Sequence, residues 1–166
     1  RSSAMAGAPL LIEADGARGR SLKAPASHEP VIPPFADLVV PVAGLDAVGM
    51  PLEDAWVHRA ERAAGLLMLR PGTPVEVEHV ASLLGSPEGG LQGIPPGAEV
   101  RILLNKADTP ERLEAGRSIA RFVMANARIQ AAVVAAVHQD IPVKEVYGRV
   151  AGIVLAAGAS RRLQQP

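Results

Sequence analysis

Short, nearly continuous apolar runs alternate along this chain with segments of helical spacing. The apolar runs cover residues 10–12, 37–42, 100–104, 131–137 and 152–156. None of them alternates cleanly between apolar and polar residues, which is typical of parallel strands that are buried on both faces. The pattern therefore predicts an α/β fold in which a mostly parallel sheet is flanked by helices.

Three segments between these runs have the spacing or the terminal residues of helices. Residues 52–67 place an apolar side chain at nearly every helical turn. A second helix is expected to begin at the capping box Thr73-Pro74-Val75-Glu76 and to end at Gly85. A third is expected to begin at Thr109-Pro110, because Thr caps a helix and Pro suits its first position.

Composition excludes several classes of function. The 166 residues carry 17 basic and 17 acidic side chains, so the formal net charge is zero, and 48% of the residues are hydrophobic. A neutral chain argues against nucleic-acid binding, and the hydrophobic share argues against disorder. There is no cysteine for a disulfide or thiolate metal site, and we find neither a membrane-length apolar run nor a signal-peptide pattern. We therefore expect a cytoplasmic globular protein that binds neither nucleic acid nor membranes.

The residues Asn105-Lys106-Ala107-Asp108 directly follow the apolar run 100–104. Ligands of open α/β sheets bind beyond the carboxyl ends of the strands, which is where these residues are expected. The Asp108 carboxylate could accept two parallel hydrogen bonds from guanine, the stem of Lys106 could cover the base, and Asn105 could tie neighbouring loops together. The pattern favours a guanine-nucleotide site, and a turn that caps the next helix is the alternative.

A second candidate group, Glu13, Asp15 and Gly16, follows the run 10–12. Nucleotide hydrolases hold Mg²⁺ or its water ligands with carboxylates at strand ends, and a glycine N–H can approach the γ-phosphate. Glu13 and Asp15 are therefore candidate catalytic and Mg²⁺-binding residues, with a simple Asp-Gly turn as the alternative. The phosphate-cradling loop G-x-x-x-x-G-K-[ST] does not occur in these 166 residues, and its usual place is upstream of residue 1.

Two segments rich in Gly and Pro, residues 16–34 and 86–97, are predicted to be long loops of the kind that is often functional or mobile. The first contains charged residues that could face a phosphate, another anion or a partner protein. These residues are Arg18, Arg20, Lys23, His28 and Glu29. A solvated loop is the alternative, and spacing alone favours it.

The last part of the sequence combines an apolar run with small residues and arginine. Small residues let backbone N–H groups approach phosphates, and arginine adds positive charge. This pattern predicts a second nucleotide-binding loop. Its candidate residues are Leu155, Ala156, Ala157, Gly158, Ser160 and Arg162.

Residues 13–33 closely resemble the YqeC family, which is associated with the maturation of selenium-dependent molybdenum hydroxylases. The resemblance continues through residues 57–59, 86–97 and 103–108. It implies a fold like that of P-loop NTPases, here without the phosphate-loop segment. It also implies GTP or ATP with Mg²⁺ as ligands, and a molybdenum hydroxylase or a cofactor-maturation protein as partner. The spacing Glu13-x-x-Gly16 and Asn105-Lys-x-Asp108 is similar to that of GTPases that insert nickel into enzymes.

Residues 155–162 resemble the opening loop of MobA-like nucleotidyltransferases, which transfer a nucleotide onto molybdopterin. We therefore expect residues 1–148 to form a YqeC-like domain and residues 149–166 to begin a second domain. The resemblances together imply a nucleotide-dependent switch in cofactor maturation or insertion. They leave open whether the protein also hydrolyses the nucleotide as an NTPase. The alternatives are a non-enzymatic docking module for a hydroxylase or selenium donor, and part of a molybdopterin nucleotidyltransferase fusion.

Overall fold

The chain forms one five-stranded sheet and a separate pair of short parallel strands in the computed structural model, which describes residues 9–149. The elements in chain order are β1 (Leu22–Lys23), β2 (Leu38–Val39), β3 (Val42–Gly44), a 3₁₀ turn (Leu45–Ala47), β4 (Val57–His58), α1 (Ala60–Leu67), α2 (Val77–Gly85), β5 (Glu99–Asn105), α3 (Pro110–Met124), β6 (Ala131–Ala135) and β7 (Val143–Gly148). The mixed α/β class with a mostly parallel sheet is confirmed. Within the described residues, no helix is both long enough and apolar enough to cross a bilayer.

The strand β5 is the centre of the larger sheet. Strands β2 and β3 pair with it on one side and β6 pairs on the other, all in parallel, while β7 runs antiparallel to β6. Pro41 lies between β2 and β3 and has no N–H, but its carbonyl accepts a hydrogen bond of 2.9 Å from the backbone N–H of Leu103. The predicted strand 37–42 is thus present as two pieces along the same edge of β5.

Two strand predictions differ from the structure. Residues 10–12 do not form a strand, and the side chains of Leu10 and Leu11 are 75% and 91% exposed. An apolar run becomes a strand only where a neighbour receives its backbone hydrogen bonds, and none of the described strands pairs with this one. The strand β7 was not predicted, because its polar residues interrupt the apolar pattern. The strand predicted over residues 152–156 lies outside the described residues.

The helix α3 begins as predicted. The side chain of Thr109 accepts a hydrogen bond of 3.3 Å from the backbone N–H of Arg112, and Pro110 occupies the first helical position. The helix predicted over residues 52–67 is shortened to α1. The reason is that β4 pairs with β1, so tertiary pairing outweighs the helical periodicity of residues 52–58.

The helix α2 ends at Gly85 as predicted, but its start was placed too early. Its N-cap is Glu76, and a reciprocal capping box joins Glu76 to His79, whose Nδ1 accepts the Glu76 backbone N–H at 3.0 Å. Residues 73–75 are not helical, since Pro74 forms an isolated antiparallel bridge with Pro51.

The main core lies between one face of the large sheet and the helices α2 and α3. Val100, Ile102 and Leu104 of β5 are fully buried on this face. The opposite face carries the paired row Val42, Leu103, Val133 and Val146, whose outer members are 56% and 65% exposed. The apolar runs predicted strands that are buried on both faces. Among the described residues, this sheet is fully buried on one face only.

Two helical glycines provide a test of this packing. A Cβ on Gly116 of α3 would lie 2.8 Å from a Val134 methyl group, whereas a Cβ on Gly65 of α1 would meet nothing within 4 Å. We expect Gly116→Ala to lower the free energy of unfolding by about 1 kcal/mol, because overpacking outweighs the gain in helix propensity. Gly65→Ala should raise it by about 0.5–1 kcal/mol. Urea unfolding measures both, and the same sign for both variants would contradict the close approach of α3 to β6.

Candidate functional site

The turn that follows β5 lies where the sequence predicted it, at the carboxyl end of three parallel strands. The Oδ1 atom of Asn105 accepts hydrogen bonds from the backbone N–H of Lys106 at 2.8 Å and of Val137 at 3.2 Å. The Ala107 N–H donates to the Ala135 carbonyl at 2.9 Å. Asn105 therefore ties the end of β5 to the loop after β6.

Lys106 makes contacts that sequence reasoning did not foresee. Its backbone is left-handed, with φ at 67°, and its Nζ lies 2.7 Å from Ser21 Oγ and 2.8 Å from Asp46 Oδ2. Burial raises the pKa of Asp46, but the neighbouring Lys106 ammonium and Ser21 hydroxyl outweigh it and hold that pKa below its ordinary value. The Lys106 ammonium thus faces an ionised carboxylate of its own chain.

A glycine makes the approach of Ser21 to Asp46 possible. A Cβ on Gly44 would lie 2.7 Å from Asp46 Oδ1 and 2.8 Å from Ser21 Cβ, so a side chain has no room there. The Gly44 N–H also donates to the Ser21 carbonyl at 2.6 Å. A glycine placed between an apolar strand and an aspartate is the signal from which this junction could have been suspected in the sequence.

Asp108 lies at the surface of the turn. Its carboxylate is 40% exposed, and Arg112, four residues later, approaches it at 3.5 Å. An exposed ion pair of this kind contributes little to stability. The carboxylate is therefore free to exchange this contact for a ligand.

The acidic segment after residue 12 lies close to β1. The Glu13 carboxylate is exposed and folds back to within 3.5 Å of the position that a Cβ on Gly16 would take. Asp15 forms an ion pair with Lys23, whose Nζ is also 3.0 Å from the Gly16 carbonyl oxygen. The structure therefore brings the predicted acidic residues and the predicted cation Lys23 together.

Glu29 closes the base of the loop 16–34. Its two carboxylate oxygens accept hydrogen bonds of 2.7 and 2.8 Å from the guanidinium group of Arg59, and Lys23 Nζ lies 2.7 Å from one of them. The hydrogen bonds from Arg59, and then those from Lys23, hold the pKa of Glu29 far below its ordinary value. Burial and the positive charges of Arg59 and Lys23 lower the pKa of the neighbouring His58.

The two predicted loops are joined to each other. The side-chain amide of Gln92, in the segment 86–97, donates a hydrogen bond of 2.7 Å to the Ala26 carbonyl and another to the Glu29 carbonyl. Arg62 of α1 adds a hydrogen bond of 2.5 Å to the Pro25 carbonyl. The loop 16–34 is therefore held by two separate parts of the chain, the start of α1 and the segment 86–97.

The predicted basic cluster is divided among different contacts. Arg20 donates to the backbone carbonyls of Asp54 and Arg18, while Arg18 is exposed and has a left-handed backbone. The side chain of His28 is 77% exposed. No group of three or more Asp, Glu or His side chains within residues 9–149 is arranged to hold a metal ion without other ligands. The second nucleotide loop, predicted at residues 155–162, lies outside the described residues.

Comparison with known proteins gives two matches. Residues 1–61 match the family model described as YqeC protein. An Escherichia coli (strain K12) protein described as "Uncharacterized protein YqeC" is 34% identical over 97 residues, which are 58% of this chain and 38% of the relative. The chain thus aligns with well under half of the relative's length. No solved structure matches the chain.

The ion pairs of Glu29 predict a pH-dependent stability. A carboxylate whose pKa is lowered by folding stabilises the protein above its ordinary pKa, 4.5 here, and the stabilisation is lost as the pH falls below that value. We expect Glu29→Gln to lower the free energy of unfolding by about 2 kcal/mol at pH 7. The difference from the parent protein should narrow steadily below pH 4.5 in urea titrations. Glu88→Gln, at an exposed position, is the control and should change little at either pH. If the difference in the free energy of unfolding between Glu29→Gln and the parent protein did not depend on pH, the ion-pair assignment would be contradicted.

Proposed function

Because the match of residues 1–61 assigns that part of the chain to the YqeC family, we propose that the protein is a nucleotide-binding accessory factor for selenium-dependent molybdenum hydroxylases. Its role is to assist the maturation or insertion of the molybdenum cofactor in the cytoplasm, with the bound nucleotide acting as a switch. The family resemblance of residues 13–33 supports the choice of client. The turn 105–108 supports the choice of ligand.

The accessible carboxylate of Asp108 is the observation that carries the nucleotide assignment. It stands at the carboxyl end of a parallel strand, where α/β proteins bind ligands, and its contact with Arg112 is weak. An ionised carboxylate only accepts hydrogen bonds, so it suits the paired N–H donors of guanine and finds no such pair on adenine. We therefore favour GTP over ATP.

The acidic segment suits a magnesium ion that arrives with phosphates. Mg²⁺ keeps several waters and is held by one or two carboxylates plus the phosphates, so a complete protein cage is not needed. Glu13 is exposed and could hold one of its water ligands, whereas Asp15 would first have to release Lys23. When bound, the ion would neutralise phosphate charge. The backbone of Gly16 would face the same phosphates.

In this proposal residues 1–148 form part of a P-loop NTPase-like domain, and residues 149–166 begin a MobA-like domain. Both statements are supported by sequence resemblance alone. Nucleotide experiments on this proposal use the full-length protein.

Replacing Asp108 tests the assignment of the base. We expect Asp108→Ala in the full-length protein to weaken GTP binding about tenfold to a hundredfold, because two hydrogen bonds to a charged acceptor are lost, and to leave ATP binding unchanged. Isothermal titration measures both ligands. Asp140→Ala, at an exposed position in the loop between β6 and β7, is the matched control. Equal affinities for GTP and ATP that do not respond to Asp108→Ala would refute guanine recognition.

A docking module that does not use nucleotides is the second candidate. The loop 16–34 is fixed at its base, and just beyond its Glu29 anchor the chain presents Val31 and Phe35, which are 73% and 70% exposed. Exposed apolar side chains on a rigid base are suited to binding a protein partner.

The docking candidate predicts capture of a purified hydroxylase without nucleotide. The double variant Val31→Ser, Phe35→Ser should then reduce capture at least about tenfold, since two buried apolar contacts are lost. Met68→Ser is the control, because Met68 is 92% exposed elsewhere on the surface. Capture that requires GTP, or that survives the double variant, would contradict this candidate.

A further inference from the structure

We propose that Asp46 is a positioning residue that joins the two halves of the nucleotide site, holding the turn 105–108 against the acidic segment 13–16 through Lys106 and β1. This inference rests on the proposed function for its nucleotide consequence. The mechanical connection itself stands on the contacts of the described residues.

The first step is the fixed position of Lys106. A left-handed backbone at a residue other than glycine is strained and persists only where the surroundings enforce it. Here the φ is 67°, and both the backbone N–H and the side-chain ammonium of Lys106 are held in place. Asn105 Oδ1 accepts the backbone N–H, and Asp46 and Ser21 hold the ammonium at 2.8 and 2.7 Å.

The second step is the dependence of Asp46 on Lys106. The Asp46 side chain is only 17% exposed, and its Oδ1 atom is buried with no hydrogen-bond donor among the described residues. A carboxylate in this setting needs an opposite charge, because an uncompensated buried charge is strongly destabilising. Lys106 supplies that charge. Its ammonium is thus committed to the protein and is not available as a phosphate ligand.

The third step is the alternation along β1. Leu22 is buried, with 2% of its surface exposed, so Ser21 and Lys23 lie on the opposite side of the strand. Ser21 contacts Lys106 of the base turn, and Lys23 contacts Asp15 and the Gly16 carbonyl of the acidic segment. The short strand β1 therefore connects both halves. Lys106 contacts both Ser21, which is 85 residues away in sequence, and Asp46, which is 60 residues away.

We therefore expect removal of the Asp46 carboxylate to increase the mobility of both the turn 105–108 and the acidic segment 13–16. Without its carboxylate, Lys106 loses its charge partner, Ser21 loses a fixed neighbour, and β1 can shift with the acidic segment attached to it. A merely local ion pair would affect the turn 105–108 alone.

Hydrogen exchange of the protein without nucleotide tests this connection. We expect Asp46→Asn to speed amide exchange about tenfold in both residues 13–23 and residues 105–108, through more frequent local opening. Ser21→Ala removes no charge and is therefore less disruptive to the fold than Asp46→Asn. It should speed exchange in the same two segments by a smaller factor. Asp140→Asn is the matched control and should change neither segment. Faster exchange confined to residues 105–108 in both variants would overturn the proposal.

Nucleotide titration of the full-length protein separates this inference from the proposed function. If GTP binds, Asp46→Asn should weaken it at least about fivefold although Asp46 does not touch the base, and unchanged affinity would overturn the positioning role. If the parent protein binds neither GTP nor ATP, the proposed function fails. Exchange in the two segments then decides the connection by itself.

Discussion

Half-buried charges around β1 and the turn 105–108 are neutralised by other side chains of the same protein, and the arrangement of the site follows from this constraint. Lys106 faces Asp46, Lys23 faces Asp15 and Glu29, and Glu29 also takes the two hydrogen bonds of Arg59. The contacts of Lys106 with Asp46 and of Arg59 with Glu29 link residues that are 60 and 30 positions apart in sequence.

The same constraint explains why β1 matters despite having only two residues. It pairs with β4 over two residues, and the side chains of Ser21 and Lys23 add contacts on either side of Leu22. Gly44 contributes by having no side chain, since a Cβ there would separate Ser21 from Asp46. The order of the site therefore comes from packing and charge at this junction together with the pairing of β1 and β4.

Sequence reasoning succeeded where local signals and structure agree. The strand β5 and the start of α3 follow from an apolar run and from Thr109-Pro110, and together they put Asn105 and Asp108 at the sheet edge. It failed where a partner decides the outcome. Residues 10–12 have the composition of a strand but pair with none of the described strands, and β4 replaces the first turns of a periodic helix because β1 lies beside it. Asp46 and Gln92 escaped notice for the same reason, because their roles exist only after distant segments meet.

Charge neutrality also limits how an anionic ligand could enter this site. Lys23 is already held by two carboxylates, so a phosphate beside it would leave Asp15 without its counter-charge. A divalent cation that arrived with the phosphate would restore the balance, because Asp15 could face the cation while Lys23 faced the anion. A phosphate without the cation is unfavourable, since it leaves the partly buried Asp15 unpaired, whereas a cation alone leaves Lys23 paired with Glu29. Under the proposed function, the ion pair between Asp15 and Lys23 would therefore favour the magnesium–nucleotide complex over free nucleotide.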